Sequence, residues 1–231
     1  VKCIIIKMKK VVIALPGREY SGMFITNWTQ TILTLVQKGY SIKMINKYSS
    51  YVPFSRMQTL GLDVMRGAEQ KPFEDGGYEY DVWLTIDSDI IFTSEQVIEL
   101  IEDTDKYPVI SGLYRMTDLK HYAAVREWDV DYFKKHGTFK FIGINDLDRR
   151  KKYIKVAYNG MGFFACRREV LEKMKYPYFS YPLIEMEGED GKLIRDMCSE
   201  DVAFCKNITE AGYDIMINSR MRVGHEKTLV I

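Results

Sequence analysis

Short apolar runs and longer segments with helical spacing alternate along the first half of the chain. The runs have the length and composition of buried strands, and they predict β-strands over residues 11–15, 41–45, 82–86 and 109–113. The segments between them carry apolar residues three or four positions apart, and they predict helices over residues 24–37, 55–65 and 97–101. Thr93 and Gln96 have the spacing of a capping box before the third helix. This alternation predicts an α/β fold with a largely parallel sheet.

The second half of the chain has a less regular pattern. Residues 115–158 mix charged and aromatic residues and predict short strands and loops. Beyond them the pattern predicts strands over residues 163–166 and 214–218, helices over residues 169–174 and 199–211, and a loop at residues 187–191. No repeat, low-complexity tract or linker divides the sequence, so we expect residues 1–231 to form a single domain.

Two acidic residues follow directly after the apolar strand at residues 82–86. Asp87 and Asp89 are separated by Ser88, and in an extended segment their side chains project to the same side. Two carboxylates held close together repel each other, and a divalent cation, which often accompanies phosphate groups, relieves that repulsion. The acids also lie at the carboxyl end of a strand, where open α/β sheets bind ligands. The alternative is a turn with solvated acids, which is common for so short a motif.

His225 and the pair Glu200 and Asp201 are further candidates for chemistry. A neutral imidazole is a good ligand for Mn²⁺-like ions beside carboxylates, although a lone histidine is usually structural or solvent-exposed. Glu200 and Asp201 lie in the first turn of the last predicted helix, where acids stabilise the helix dipole and need no other role. If that helix end faces a cleft, one of the two carboxylates can orient or deprotonate a substrate hydroxyl.

The segment Asn159–Gly162 and two arginines could contact a ligand. Glycine at two of the four positions of Asn159–Gly162 permits close approach of a ligand to the backbone, and it is equally compatible with a tight turn. Arg18, in the turn after the first strand, and Arg56, in the second predicted helix, can each balance phosphate charge. Surface arginines are common, so neither is specific on its own.

Composition narrows the class of protein. With 33 basic and 32 acidic residues the net charge is +1, and no tract suggests nucleic-acid binding. No stretch approaches the roughly 20 apolar residues of a membrane-spanning helix, and the apolar run at residues 3–6 is too short for a signal-peptide core. The four cysteines show no paired spacing and are expected to be reduced. We therefore expect a cytoplasmic protein without a transmembrane segment or nucleic-acid partner, located in the host cytoplasm if its source is a virus.

Taken together, these motifs resemble those of glycosyltransferases with the GT-A fold, in particular the small enzymes of phages, large algal viruses and bacteria. The resemblance extends over nearly the whole chain and rests on the segments Leu15–Arg18, Ser55–Arg56, Leu84–Asp89, Ser111–Tyr114, Asn159–Phe164, Arg167–Val170, Ser199–Cys205 and Val223–His225. It implies a Rossmann-like α/β fold with a mixed central sheet flanked by helices. It also implies a nucleotide-binding half at residues 1–114 and an acceptor-binding half at residues 115–231.

The resemblance implies a role for each candidate residue. Asp87, Asp89 and His225 would hold Mn²⁺ or Mg²⁺ against the diphosphate of a nucleotide-sugar donor, for which UDP is the preferred nucleotide. Asp201 or Glu200 would contact a carbohydrate acceptor and serve as the base in an inverting reaction. Besides Asp87 and Asp89, the residues implied to bind the donor are Leu15, Pro16, Gly17, Arg18, Arg56, Ser88, Asn159, Gly160, Gly162 and Lys227. The chain departs from the family's pattern after His225, where only Lys227 is left to close over the phosphates.

Three other functions stay open. A phosphohydrolase of the haloacid-dehalogenase type also places Asp-x-Asp after a strand, but Ile91 stands where it needs Thr or Val. A sugar-phosphate nucleotidyltransferase shares the metal chemistry, but the turn at residues 16–18 is thin for its glycine-rich phosphate loop. The non-enzymatic alternative is a carbohydrate- or nucleotide-binding module with a degenerate site, against which the complete set Asp87, Asp89 and His225 argues.

Overall fold

The computed structural model describes residues 8–74, 76, 78–148 and 150–228. The helices are α1 (Gly22–Gln37), α2 (Val52–Thr59), α3 (Ser94–Asp103), α4 (Val130–His136), α5 (Arg168–Lys173) and α6 (Glu200–Glu210), with a 3₁₀ turn at Val64–Arg66. The strands are β1 (Lys10–Pro16), β2 (Ser41–Lys47), β3 (Val82–Ile86), β4 (Ile90–Ile91), β5 (Val109–Leu113), β6 (His121–Val125), β7 (Phe141–Gly143), β8 (Tyr153–Val156), β9 (Tyr158–Asn159), β10 (Phe163–Arg167), β11 (Leu183–Glu187), β12 (Leu193–Met197), β13 (Ile215–Arg222) and β14 (Gly224–His225).

Seven strands form the central sheet in the order β2-β1-β3-β10-β5-β13-β8. The strands β2, β1 and β3 run parallel, as the alternating pattern predicts. β10 runs antiparallel between β3 and β5, and β13 lies parallel to β5. A strand from the second half of the chain therefore lies between two strands of the first half. The predicted α/β fold class is confirmed as a mixed sheet flanked by helices.

Helices cover both faces of the sheet because successive strand side chains point to opposite sides. In β1, Val11, Ile13 and Leu15 belong to a core that also contains residues of α1 and α3. Val12 and Ala14 belong to the core on the other face, with residues of α2, α5 and α6. Helices thus cover the mainly apolar faces of the central strands, and the candidate polar residues lie at the strand ends.

Several elements agree closely with their predictions. The strands at residues 82–86 and 109–113 have the predicted bounds. The capping box of α3 is present, since Gln96 N–H donates to Thr93 Oγ1 at 3.3 Å and Thr93 N–H donates to Gln96 Oε1 at 3.0 Å. Helix α1 begins two residues early, because Ser21 Oγ accepts from Phe24 N–H at 3.1 Å and caps it.

The position predicted for the second helix is wrong. The structure has α2 at Val52–Thr59 instead of residues 55–65. Pro53 occupies its first turn, where the missing N–H of proline is not needed. Gly61, at a φ of 66°, follows the helix end and adopts a conformation that does not continue an α-helix.

Two elements of the second half were not predicted. The region 115–158 contains helix α4, which Asp129 caps through Oδ1 at 2.9 Å from Tyr132 N–H and which Gly137 ends in the left-handed conformation. The strands β11 and β12 form an antiparallel hairpin, and the loop predicted at residues 187–191 is its turn. The hairpin strands consist of exposed and half-buried residues, with strict alternation in β11 alone, and they are rich in charge, so their sequence pattern is weak.

The cysteines and the helix lengths bear on two further expectations. Cys166, Cys198 and Cys205 are buried free thiols, whereas Cys3 and the apolar run at residues 3–6 lie outside the described residues. Within the described ranges, no helix has both the length and the apolar content needed to cross a membrane.

Candidate active site

Strand β3 carries Asp87 and Asp89 to the carboxyl edge of the sheet. Asp87 N–H donates to the Gly162 carbonyl at 2.9 Å, and Ile90 N–H donates to the Asp87 carbonyl at 3.1 Å. These bonds close a turn that ends in β4. Strand β4 pairs with β14, which places His225 opposite Ile90 and next to Asp89.

Asp89 and His225 are in direct contact. His225 Nδ1 is 2.7 Å from the Arg115 carbonyl oxygen, which can only accept, so Nδ1 carries a hydrogen. The other ring nitrogen, Nε2, lies 3.2 Å from Asp89 Oδ2. If the ring is neutral, its Nε2 lone pair faces a carboxylate oxygen, an arrangement that needs a cation between them. That cation is either a proton or a metal ion.

The surroundings of Asp89 favour its charged form. Partial burial opposes ionisation, but hydrogen bonds from His225 and Lys227 outweigh it and lower the pKa of Asp89 to about 2. Lys227 Nζ is 2.5 Å from Asp89 Oδ2. The same Asp89 contact raises the pKa of His225 above its ordinary value, against a smaller opposing effect of burial.

A buried arginine joins Asp87 to Glu200 and Asp201. Only 5% of Arg56 is exposed, and its two terminal nitrogens bind the two oxygens of Asp87 at 2.9 and 3.0 Å. Its Nε donates to Glu200 Oε1 at 3.3 Å, and Nη2 lies 3.7 Å from Asp201 Oδ1. Burial disfavours the charged guanidinium, but the carboxylates, Asp87 foremost, raise the pKa of Arg56 well above its ordinary value. One cation therefore faces three acids.

Asp201 holds a proton more tightly than an ordinary aspartate does. Burial raises the pKa of Asp201 to about 7, with the charges of Glu200 and Asp87 adding to the effect and Arg56 opposing it. Asp201 Oδ2 accepts from Met161 N–H at 3.2 Å, whereas its Oδ1 is buried and has no hydrogen-bond partner among the described residues. A buried carboxylate oxygen without a hydrogen bond is costly, and the ion pair with Arg56 at 3.7 Å offsets part of that cost.

Tyr114 lies between the two acid regions. Its ring contacts the His225 ring edge-on, with centroids 5.0 Å apart, and its hydroxyl accepts from Gly162 N–H at 3.3 Å. A Cβ atom on Gly160 would overlap the Tyr114 hydroxyl, and one on Gly162 would lie 2.9 Å from the Tyr114 ring. The glycines that the sequence analysis related to a ligand or a turn are thus required by close packing against Tyr114.

The loop after β1 packs on the turn between Asp87 and Asp89. A Cβ atom on Gly17 would lie 2.7 Å from Ser88 Cβ, so no larger residue fits there without a shift. Asn46 Nδ2 donates to the carbonyls of Leu15 and Gly17 at 2.8 and 2.9 Å and fixes the loop. By contrast, the Arg18 side chain is 69% exposed, and it approaches Glu19 at 3.9 Å and the Tyr48 ring at 5.8 Å from the ring centroid.

A cationic cavity opens beside His225. It has a volume of about 570 Å³, and its lining includes Tyr114, Arg115, Arg222 and Lys227. This volume lies within the range of small-molecule sites. Positively charged side chains without a carboxylate in the lining favour an anionic ligand.

The residues at this edge suit a divalent cation in part. Asp89 Oδ2 and His225 Nε2 are 3.2 Å apart, close to the roughly 3 Å between neighbouring ligands of an octahedral ion with bonds of about 2.1 Å. Both oxygens of Asp87 bind Arg56, although each keeps a lone pair. No three His, Cys, Asp or Glu side chains among the described residues are arranged as a ready metal site. Asp89 and His225 thus fit as two protein ligands, with Asp87 adjacent.

The structure brings most of the candidate residues to one edge of the sheet. Asp87, Arg56, Glu200 and Asp201 form one cluster, and Asp89, His225 and Lys227 form another. The buried side chain of Asn159 donates to the carbonyl of Gly160 at 2.7 Å. Tyr114 and Asn46 were not predicted as site residues from the sequence. Tyr114 follows β5 directly. Its position at the carboxyl end of a parallel strand, where open α/β sheets bind ligands, could have indicated a place in the site.

Comparisons with known proteins support the fold and leave the activity open. No protein-family model matches the chain, and no curated protein matches it. Among solved structures, the chain is similar to A197 from STIV, with 19% sequence identity and a TM-score of 0.53 over 96% of this chain and 87% of that one. At this identity the similarity concerns the fold alone. The chain therefore has a mixed α/β fold that is consistent with the Rossmann-like GT-A architecture.

Proposed function

We propose that this chain is a metal-dependent glycosyltransferase, which moves a sugar from a nucleotide-diphosphate sugar to a hydroxyl of a carbohydrate acceptor. The observation that carries the proposal is the pairing of two unlike carboxylate environments at one sheet edge. Asp89 stays ionised beside His225, and Asp201 holds its proton up to a pH of about 7. The transfer needs one permanently ionised carboxylate to bind the metal ion and one carboxylate that can accept a proton from the acceptor hydroxyl.

Asp89 and His225 would bind the divalent cation, and Asp87 would be the third protein ligand. Bound there, Mn²⁺ or Mg²⁺ would stabilise negative charge on the departing diphosphate as a Lewis acid. The hydrogen bond from His225 Nδ1 to the Arg115 carbonyl orients the imidazole with Nε2 toward Asp89.

The donor would lie between the first-strand loop and the cationic cavity. The backbone of residues 15–17, where Gly17 packs on Ser88, would form the surface that the base and the ribose contact. Lys227, whose Nζ already lies beside Asp89, would pair with a phosphate. UDP is the nucleotide that we expect, with Arg115 and Arg222 adding positive charge.

Asp201 is the group that we assign as general base. The acceptor hydroxyl must lose its proton as the new bond forms, and a carboxylate with a pKa near the working pH accepts it efficiently. A pKa of about 7 meets that condition. Glu200 and Arg56 would position Asp201 and stay bound to each other during the reaction.

Calorimetry with UDP and GDP, with and without Mn²⁺, tests the proposal. We expect UDP to bind much more tightly with Mn²⁺ and Asp89→Ala to lose that difference, because it removes one metal ligand. Asp105→Ala is the matched control, since Asp105 forms an exposed ion pair with Lys9 at 2.7 Å. Release of UDP from a panel of UDP-sugars then separates an enzyme from a binding module. Nucleotide binding that is indifferent to Mn²⁺ would rule out the metal-dependent reaction.

A further inference from the structure

Three aromatic rings cluster beside the buried acids. Tyr51 and Phe54, at the start of α2, are 43% and 47% exposed and contact each other with ring centroids 4.8 Å apart. Tyr181, just before β11, contacts Tyr51 edge-on at 5.3 Å. We call Tyr51, Phe54 and Tyr181 the aromatic platform. None of its members has a role in the site described above.

Hydrogen bonds and an ion pair connect the platform to β2 and to the start of α6, the helix that carries Asp201. Ser55 Oγ donates to the Lys47 carbonyl at 2.8 Å, which fixes the start of α2 on the end of β2. On the other side, Cys198 N–H donates to the Pro182 carbonyl at 2.9 Å, so the segment with Tyr181 lies against the start of α6. The Arg56–Glu200 ion pair, at 3.3 Å, joins α2 to α6. The segments that carry the rings are thus joined to the start of α6, which carries Glu200 and Asp201.

Electrostatics agrees with this proximity. Partial burial raises the pKa of the Tyr181 hydroxyl, and the charges of Glu200 and Asp201 contribute to the shift. The rings therefore lie on the side of the site where Asp201 would receive a proton. The proposed diphosphate region, around Asp89 and Lys227, is held by other elements, β4 and β14.

The chemistry of the platform matches one class of ligand. A pyranose ring has a C–H face that packs on aromatic rings and a rim of hydroxyls that needs polar partners. Tyr51 and Tyr181 supply hydroxyls, and the three rings supply apolar surface without a formal charge. The three rings meet edge-on, at interplanar angles of 74° and 75°, and form a small surface, whereas an acyl chain needs a longer apolar groove.

We propose that the aromatic platform is the acceptor subsite and that the acceptor is a saccharide whose pyranose ring packs on Tyr51, Phe54 and Tyr181. That this saccharide is the acceptor rests on the proposed function, whereas saccharide binding by the platform does not. The hydroxyl to be glycosylated would face Asp201.

Saturation-transfer NMR tests the subsite without any donor. The probes are the methyl glycosides of glucose, galactose, mannose and N-acetylglucosamine, together with cellobiose, maltose and lactose. We expect at least one probe to receive saturation from aromatic protons of the protein. Phe54→Ala should then weaken its binding about two- to twelvefold, and Phe54→Trp should retain it, because an aromatic contact contributes about 0.5–1.5 kcal/mol.

Tyr107→Ala is the matched control. Tyr107 forms a similar ring pair with Tyr153, at 4.8 Å, but it precedes β5 and so lies at the amino end of that strand. Its loss should leave saccharide binding unchanged. Circular dichroism of each variant shows whether it has folded, and Phe54→Leu serves if Phe54→Ala has not.

The result separates the subsite from the proposed function. Saccharide binding that depends on Phe54, without any Mn²⁺-dependent binding of UDP, would support the platform and remove the transferase assignment. Mn²⁺-dependent UDP binding, with saccharide binding absent or unchanged in Phe54→Ala, would overturn the platform and keep that assignment. Weaker UDP binding in Phe54→Ala, with UDP displacing the saccharide, would place the donor base on the rings and also overturn the acceptor subsite.

Discussion

Asp89 and Asp201 are carboxylates at the same edge of one sheet, and their surroundings shift their pKa values in opposite directions. Asp89 is 41% exposed and receives hydrogen bonds from a histidine and a lysine, so its pKa falls to about 2. Asp201 is mostly buried among other acids, and its pKa rises to about 7. Two acids whose surroundings separate their pKa values in this way suit different roles, one as a permanent anion and one as a proton carrier.

Arg56 limits the difference between the two regions. It neutralises part of the charge on Asp87, Glu200 and Asp201, whereas Asp89 has its own cations in His225 and Lys227. The buried cluster still has two more negative than positive charges when all three acids are ionised. Burial is the main cause of the raised pKa of Asp201, the charges of Glu200 and Asp87 add to it, and Arg56 prevents the shift from growing larger.

Arg56→Met gives the largest expected effect, because it leaves the buried acids without their cation. Removing one partner of a buried ion pair typically costs about 3–5 kcal/mol, and we expect a loss of unfolding free energy in this range at pH 7. Urea denaturation followed by circular dichroism measures it.

Arg150→Met is the control for Arg56→Met. The Arg150 side chain is 91% exposed and pairs with Asp148, so its loss should leave the unfolding free energy almost unchanged. If Arg56→Met were no more harmful than this control, Arg56 would not be what holds the buried acids together.

Asp201→Asn should change how stability depends on pH. The folded-state pKa of Asp201, about 7, lies above the unfolded value, so its contribution to stability is complete below about pH 4 and is lost as the pH rises through 7. In the wild type this acid lowers the unfolding free energy by about 1.4 kcal/mol per pH unit between pH 4 and 6. Urea denaturation at pH 4, 5 and 6 should show that this slope is absent in Asp201→Asn.

Asp89→Asn provides the contrasting measurement over the same pH range. The pKa of Asp89 is lowered to about 2, so its stabilising contribution is present above its unfolded pKa and is lost only as the pH falls below about 4. Between pH 4 and 6 the variant should therefore keep the downward slope that Asp201 produces, and any added change comes from His225, whose pKa the Asp89 contact raises. Equal slopes for Asp201→Asn and wild type would show that the two carboxylates do not differ as described.

Sequence alone predicted one of these two regions better than the other. Asp87 and Asp89 follow an unmistakable buried strand, so their place at the sheet edge could be read from local pattern. The cluster around Arg56 could not be predicted from local pattern. Arg56 contacts Asp87, 31 positions away in the sequence, and Glu200, 144 positions away. The predicted helix start at Ser55 also placed Arg56 in the first turn, whereas it lies near the end of α2.

The aromatic residues show a second limit of the sequence pattern. Tyr51 and Tyr181 lie outside regular elements and are brought together only by the ends of α2 and β11. The hairpin β11–β12 has an irregular, charged pattern, and its pairing depends on the rest of the fold. The local periodicity of the sequence does not predict contacts between residues of different loops.

Tyr114 and Gly160 give the smallest expected effects, and they test the contact between the two acid regions. Gly160→Ala should cost about 1–3 kcal/mol of unfolding free energy, because the new methyl group would overlap the Tyr114 hydroxyl. Tyr114→Phe should cost about 1 kcal/mol through the hydrogen bond from Gly162 N–H. The double variant should lose less than the sum of the two, since phenylalanine removes the atom that clashes. Additive losses in urea denaturation would show that Gly160 is small for a reason other than Tyr114, and the packing that separates Asp89 from Asp201 would then have to come from other residues.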